Sequence, residues 1–449
     1  MSAERGGLVG ALFRHRKLIA GVGAVWLALV IGGGVFTSTL DARVGLHVFG
    51  PTTWYAHDGS VIRIGLHDLE FSRFAPLGAV RANFEKGHGE QPDRDHVPSR
   101  PTVMTEHAGP FVQGALVPPG VGAWTLVLTA RTPDGGEATV RVPITVLPGS
   151  APVTPPLRPK ERKPLKPDVG PLKLDIAPLD QVLPGDLPTQ LAVIAHDPDG
   201  RPRSLGVHLH LQEGRSAIDL PSAVTTDRHG LATLPIKAIE PRFWIDLSAD
   251  GGTASWRIQR TPTQFVLDTP SPRVARGATV PFSLQSLHRK GPVFLDLWHG
   301  DVWLRTSAME LVDRRAEGEL TLPSLPDPSI VWIQAYQTAY LPQKARGGRH
   351  LLVTTLPPVE ANRWLASQLV AQGIDVAWAG YLAQHADGDP TLTRALLGRF
   401  DRPERDPPLL ADSSDSARQT VASLKLTWQR RFAWALLGSG VLMIIVIAL

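Results

Sequence analysis

Two charge-free runs and two hydrophobic periodicities divide the chain. Residues 18–36 and 432–449 carry no charged side chain. Coiled as helices they reach about 28 Å and about 27 Å at ~1.5 Å per residue, one hydrocarbon thickness each. Between them much of the sequence alternates with period two. Ile62, Ile64 and Leu66 alternate with Arg63, Gly65 and His67. Trp124, Leu126, Leu128 and Ala130 share one face of a second segment, and Val140, Val142, Ile144 and Val146 share one face of a third. Asp134, Gly135 and Gly136 stand between those two, where a hairpin needs its turn. Short alternating segments bounded by turn signals predict an antiparallel sandwich over 41–148. The polar stretch 87–100, of mixed charge, reads as an exposed loop within it.

The alternation stops at 149–172. Pro152, Pro155, Pro156, Pro159, Pro164, Pro167 and Pro171 are interleaved there with Arg158, Lys160, Arg162, Lys163 and Lys166. Such a segment lacks regular backbone donors and cannot bury a core, so an extended linker of up to about 70 Å is predicted. It is a spacer, or its positive charge lies along an anionic surface such as lipid headgroups or polymer phosphates. Period two resumes over 173–261 and again over 262–357, giving two more sandwiches. After Leu356, Pro357 and Pro358 the period becomes helical, through Trp364, Leu365, Leu369 and Val370, then Ile374, Val376, Ala377, Trp378, Tyr381 and Leu382. Asp389-Pro390 opens a further helix, and residues 402–410 read as a charged, proline-containing connector. Asp412, Ser413, Ser414 and Asp415 can cap a last helix. That helix either runs unbroken into 432–449 or belongs to a small helical subdomain over 358–431.

The turn signatures carry a resemblance. The second unit has Pro184-Gly185-Asp186, a turn from Asp197 to Pro202, and Thr226-Asp227 followed by Gly230-Leu231-Ala232. The third has Ala275-Arg276-Gly277, Val280-Pro281-Phe282, Leu322-Pro323 and Trp332. These stretches resemble the bacterial Ig-like or macroglobulin-type β-sandwich domains of extracytoplasmic proteins, over roughly 174–355 and more faintly over 41–148. The resemblance implies a fold and a compartment rather than a reaction. Many macroglobulin protease traps carry a cysteine thioester, and this chain has no cysteine, so the trap function does not transfer.

Composition agrees and excludes more. Among 449 residues, Gly 42 and Pro 41 favour short strands and many turns over long helices. The absence of cysteine removes disulfides, thiolate metal sites and thiol nucleophiles. A net charge of +4 with no concentrated basic face argues against nucleic acid as partner. Arg14, His15, Arg16 and Lys17 precede the first apolar run, which places the N-terminal tail (1–17) in the cytoplasm and the chain after it outside. A hairpin topology follows, with both termini inside, although Arg430 and Arg431 lie on the external side of the second run. Trp428 and Trp434 sit at interfacial depth. Ala20, Ala24, Ala28 and Gly32 form a ridge of small residues in the first run, and Ala435 and Ser439 a shorter one in the second. Such ridges let helices approach closely, so the two runs are expected to pack on each other or on a partner.

Candidate chemistry is sparse. His208 and His210 share one face of a strand, but they alternate with Val207, Leu209 and Leu211 and read as its solvent face. His299 and Asp301 fall in a turn, Asp197 and Asp199 are turn formers that need no ion, and Ser439 has no strand-turn-helix context. There is no phosphate loop, dinucleotide fingerprint or zinc-protease motif. No catalytic, cofactor-binding or metal-binding residue is expected, and the chain is not expected to be an enzyme. Trp298, Trp303 and Trp332 either plug the third sandwich or, exposed together, form a recognition surface for protein or glycan.

The expected architecture is mainly β: tandem antiparallel Ig-like sandwiches, a small juxtamembrane helical segment and one transmembrane helix at each end. The expected role is a binding or scaffold protein anchored in the bacterial inner membrane, with its bulk on the periplasmic or extracellular side. Its expected partners are the lipid bilayer and another envelope or membrane protein. The alternative is an accessory subunit of a membrane transport or secretion complex that docks through its transmembrane helices.

Overall fold

The computed structural model describes residues 16–39, 44–56, 59–69, 73–86, 102–108, 110–131, 137–150, 164–213, 220–238, 240–337, 346–402 and 405–448. The loop expected at 87–100 and the turn expected at 134–136 lie outside these residues. The strands flanking that turn pair as expected, with Glu137 opposite Arg131 and Val146 opposite Gly122.

The first sandwich is built from two sheets. One runs in the order Leu409–Asp412, Val44–Phe49, Ser60–Asp68, Phe111–Leu116, Glu106–Ala108, with Arg73–Ala75 beside Ser60–Asp68. The other runs Thr53–Tyr55, Glu137–Leu147, Gly122–Arg131, Val80–Lys86, Thr102–Met104. Ile62, Ile64, Leu66, Leu126, Leu128 and Val142 meet between them around Trp54. The indole N–H of Trp54 donates to the Pro51 carbonyl at 2.7 Å, so its burial leaves no orphan donor.

The edge strand Leu409–Asp412 corrects the sequence reading, which made 402–410 a connector. It pairs antiparallel with Val44–Phe49, His47 opposite Asp412 and Val48 opposite Ala411. Four residues offer too little periodicity to be recognised as a strand without their partner.

The second sandwich pairs a sheet of Lys166–Val169, Gly252–Gln259, Arg242–Ala249, Gly206–Glu213 and Ala223–Thr225 with one of Lys173–Pro178, Thr189–His196 and Leu231–Ile236. Its first strand lies inside the stretch expected to be a free linker. The Leu165 amide already donates to Ser255 O at 2.8 Å, so the end of the proline-rich stretch is stitched to the sheet edge. Proline is tolerated there because an edge strand leaves one row of donors unused. The linker residues 151–163 lie outside the described residues. The third sandwich faces Phe265–Asp268, Thr279–Ser286 and Arg315–Thr321 against Arg273–Val274, Gly347–Val353, Ser329–Tyr336, Gly291–His299 and Val302–Leu311.

The helices are α1 (Arg16–Thr39), α2 (Pro358–Ala371), α3 (Val376–His385), α4 (Pro390–Leu397) and α5 (Ser414–Ala448). Helices α2 to α4 form a wedge whose apolar faces share a core with Leu179, Ile194 and Leu231 of the second sandwich and Ile330 and Leu352 of the third. Proline opens α2 and α4, where the first N–H has no intrahelical partner in any case. Helix α5 is one unbroken element of 35 residues, roughly 52 Å long. Its first half, to Arg431, is a polar stalk between the first sandwich and the apolar end.

Helices α1 and α5 lie alongside each other. Among the described residues no helix is long and apolar enough to cross a membrane. That finding corrects the expectation of two transmembrane helices as far as those residues go; the side chains of 442–449 lie outside them. The small-residue ridge is also not the α1–α5 seam. Ala20, Ala24, Ala28, Gly32 and Ala435 are exposed and Ser439 half-exposed, and a Cβ built on Gly32 would meet nothing within 4 Å.

Candidate functional site at the domain junctions

The polar groups that are deeply buried cluster where domains meet. At the junction of the first and third sandwiches, Arg63 projects from the outer face of Ser60–Asp68 onto the sheet formed by Gly291–His299, Val302–Leu311 and Ser329–Tyr336. Its Nη2 donates to Asp296 Oδ1 at 3.0 Å and its Nη1 to the Tyr336 hydroxyl at 2.6 Å. It also donates to Thr306. Tyr336 in turn donates to Asp296 Oδ2 at 2.5 Å, and the Thr306 hydroxyl donates to Gln113 Oε1 at 3.2 Å. The guanidinium lies over the Phe294 ring, 4.4 Å from its centroid. Phe49, Val61, Phe111, Trp298, Trp303 and Trp332 surround the network. Burial opposes the charge of Arg63, but the Asp296 carboxylate and the Tyr336 hydroxyl outweigh it and hold the guanidinium ionised. Burial pushes the Tyr336 hydroxyl far above its ordinary value, so it remains a donor.

This junction corrects the proposal of an exposed tryptophan surface. Trp298, Trp303 and Trp332 are 2%, 3% and 3% exposed and are spent on the contact between sandwiches. The period-two pattern misleads here because both faces of Ser60–Asp68 and Gly291–His299 are covered. A polar residue in the alternating position is then a buried network member rather than a solvent-facing one.

The second junction holds the helical wedge. Arg394 of α4 donates from Nε to Asp180 Oδ1 at 2.9 Å, and Arg349 of the third sandwich donates from Nη2 to the same oxygen at 3.2 Å. Burial alone would raise the pKa of Asp180; the charge of Arg349 and the contacts from Arg394 overcome it and hold the carboxyl below its usual range. Arg399, after α4, donates to Asp175 at 2.6 Å and pairs with Asp375 at 2.9 Å. His350 packs in the same region, its ring 4.7 Å from that of Trp332. Burial pushes its pKa down to about 3, so it is neutral.

The third cluster lies where the turn before Leu231–Ile236 meets the loop entering α4. Asp227 organises the turn: its Oδ1 accepts from the amides of His229 at 2.8 Å and Leu231 at 3.0 Å. Gly230 takes φ +69° against the Ala195 carbonyl, where no side chain fits. His229 is 4% exposed. Its Nε2 faces Asp387 Oδ1 at 3.0 Å, and its Nδ1 faces Asp227 Oδ2 at 3.5 Å, the outer limit of a hydrogen bond and a weak one at best. Asp227 first, and Asp387 after it, raise the imidazole pKa against the effect of burial. Asp387 also pairs with Arg228, and Asp389 caps α4 by accepting from the Thr391 amide at 2.7 Å. The Trp378 indole closes the floor, donating to the His229 carbonyl at 3.0 Å. Sequence reasoning found the 227–230 turn and the Asp389-Pro390 cap separately. Nothing local signals that they touch.

The remaining sequence candidates are not drawn together. His208 and His210 are exposed on their strand. Asp197 accepts from the Arg201 amide at 2.8 Å within its own turn. His299 is buried at the end of its strand, and burial lowers its pKa; Asp301 pairs instead with Arg405.

At the root of the terminal helices, the Leu46 amide donates to Ser413 Oγ at 2.7 Å and the Ser413 amide donates to Leu46 O at 2.9 Å. His47 Nε2 lies 3.1 Å from Asp412, and the Asp412 side chain accepts from the Ser414 amide at 2.8 Å. The start of α5 is thereby tied to the strand that follows α1.

No family model matches the chain, and no curated protein matches it. Solved structures with a likeness to it carry bacterial surface and macroglobulin domains. The native conformation of E. coli alpha-2-macroglobulin aligns with 69% of this chain at 13% identity and a TM-score of 0.17; the chain spans only 22% of that protein's length. The D0-D1 domain of intimin aligns with 40% of this chain and 98% of its own, at 10% identity and a TM-score of 0.21. The Yersinia pseudotuberculosis adhesin InvE aligns with 50% of this chain and 60% of its own, at 15% identity and a TM-score of 0.18. Likenesses at these TM-scores carry no information about what the chain binds.

Proposed function

We propose that the chain is a non-catalytic binding or scaffold protein of the bacterial cell envelope. Its terminal helices attach it to the inner membrane, and its three sandwiches stand on the periplasmic or extracellular side to contact a protein or polymer. The observation that carries this reading is the pairing of Leu409–Asp412 with Val44–Phe49. It ties the start of α5 to the strand that follows α1, so the two terminal helices sit together at one edge of the first sandwich, where one attachment surface can serve both. The apolar runs 18–36 and 432–449 supply the bilayer-facing surface in the sequence. The buried junctions supply stiffness, because sandwiches joined through desolvated charge pairs and aromatic packing keep a fixed orientation. The basic proline-rich segment adds a cationic surface that suits lipid headgroups or anionic polymers.

Reporter fusions after Thr37 and after Asp412 test the topology. Both report export if the reading holds, and a cytoplasmic signal at either site overturns it. Crosslinking in intact cells then identifies the bound component.

One observation favours the accessory-subunit reading as a second. The ridge Ala20, Ala24, Ala28 and Gly32 stays uncovered although α1 and α5 lie together, and small residues on a free helix face suit a partner helix. A stoichiometric integral-membrane protein co-purifying in mild detergent supports this role; purification of the chain alone rejects it.

A further inference from the structure

The cluster between the second sandwich and the helical wedge carries an inference beyond scaffolding. We propose that Asp227, His229 and Asp389 form a divalent-cation site, best matched to Zn2+, that locks the wedge onto the second sandwich. One ligand atom from each of the three lies within 4.8 Å of the others. The Nδ1 of the buried imidazole faces Asp227 Oδ2 at 3.5 Å without a well-formed hydrogen bond to it or to any other group. Its other nitrogen is held by Asp387 at 3.0 Å. That is the arrangement of a metal-bound histidine whose second nitrogen donates to a carboxylate, which fixes both tautomer and ring orientation.

The two carboxylates are half-committed in a way that leaves ligand capacity. Asp227 uses Oδ1 for the turn amides and keeps Oδ2 toward the imidazole. Asp389 uses Oδ1 for the α4 cap and keeps its second oxygen. Charge points the same way. Asp227, Asp387 and Asp389 bring three carboxylates to one spot, and Arg228, paired with Asp387, is the cation beside them; a divalent ion balances the rest. One imidazole with two carboxylates is a mixed nitrogen and oxygen set that suits zinc among the common divalent ions. Ligands at ~2.0 Å from a tetrahedral ion stand about 3.3 Å apart. Binding therefore draws the 227–230 turn and the start of α4 together.

The test uses the full-length chain in detergent micelles, stripped with EDTA and titrated calorimetrically with ZnCl2. One equivalent binds with a dissociation constant in the micromolar range or below, and the thermal midpoint rises with saturating zinc. Both H229A and D389N weaken binding at least tenfold, whereas H208A, on an exposed strand face, leaves it unchanged. D389N is the decisive variant, because asparagine still accepts the Thr391 amide and the helix cap survives. The proposal is overturned if no saturable binding occurs, or if D389N binds zinc with wild-type stoichiometry and affinity.

Discussion

Arg63 of the first sandwich and Asp296 of the third meet at 3.0 Å with neither side chain reachable by solvent. A buried pair of this kind is costly to break, because the surviving charge is left without water or partner. R63A should lower the unfolding free energy by about 3–5 kcal/mol, while R63M/D296L, which removes both charges, should recover most of it. Chemical denaturation of the two variants beside the wild type makes the comparison. Equal losses in both would show that the charges are not coupled.

Asp180 receives Arg349 from the third sandwich and Arg394 from α4. D180A removes the acceptor shared by two guanidinium groups, leaving Arg349 with Asp268 at 2.5 Å and Arg394 with the same carboxylate at 4.0 Å, and should cost about 2–4 kcal/mol. Hydrogen exchange should locate the damage in α2 to α4, with the first sandwich protected as before. Uniform deprotection would mean that the wedge is not a separate cooperative unit.

His350 makes the wedge acid-sensitive. Its folded-state pKa is depressed to about 3, against an ordinary ~6.5. Between those values the unfolded chain binds the proton and the folded one does not. This contribution is therefore complete above about pH 6.5 and is lost progressively as pH falls toward 3, with a slope of about 1.4 kcal/mol per pH unit. H350L should flatten the stability profile across that window. An unchanged slope in a pH series of melting curves would assign the sensitivity elsewhere.

The helix root predicts two graded effects. S413A removes the acceptor for the Leu46 amide and should cost about 1 kcal/mol, read as roughly fivefold faster exchange of that amide. G45A should do more, because a Cβ at Gly45 would lie 2.8 Å from the Ser414 Cα and force the strand away from the start of α5. If neither variant alters exchange at Leu46 and Ser413, the two elements are not mechanically joined.

The sandwiches were legible because their strands are amphipathic over six to ten residues and their turns carry glycine, proline and aspartate in positions with a physical reason. The turn at 227–230, the Asp389 cap and the three wedge helices were legible on the same grounds. The junctions were not. Arg63, Asp296 and Tyr336 sit on faces that alternate as solvent-facing ones do, and only a second sheet on top of them changes their role. The strand at 409–412 and the His229 cluster were hidden for a related reason. Their partners lie far away in sequence, and no local pattern records a contact between elements that distant.

The pairing of Leu46 with Ser413 spans 367 positions, and this fixes an order of events during synthesis. The first module to emerge cannot be finished until almost the whole polypeptide has been made. Until then its strand at 44–49 is an open edge, a template for stray pairing with another chain. A truncated product that stops short of residue 409 would leave that edge bare, and such fragments should clump or be degraded even where the second and third sandwiches are complete.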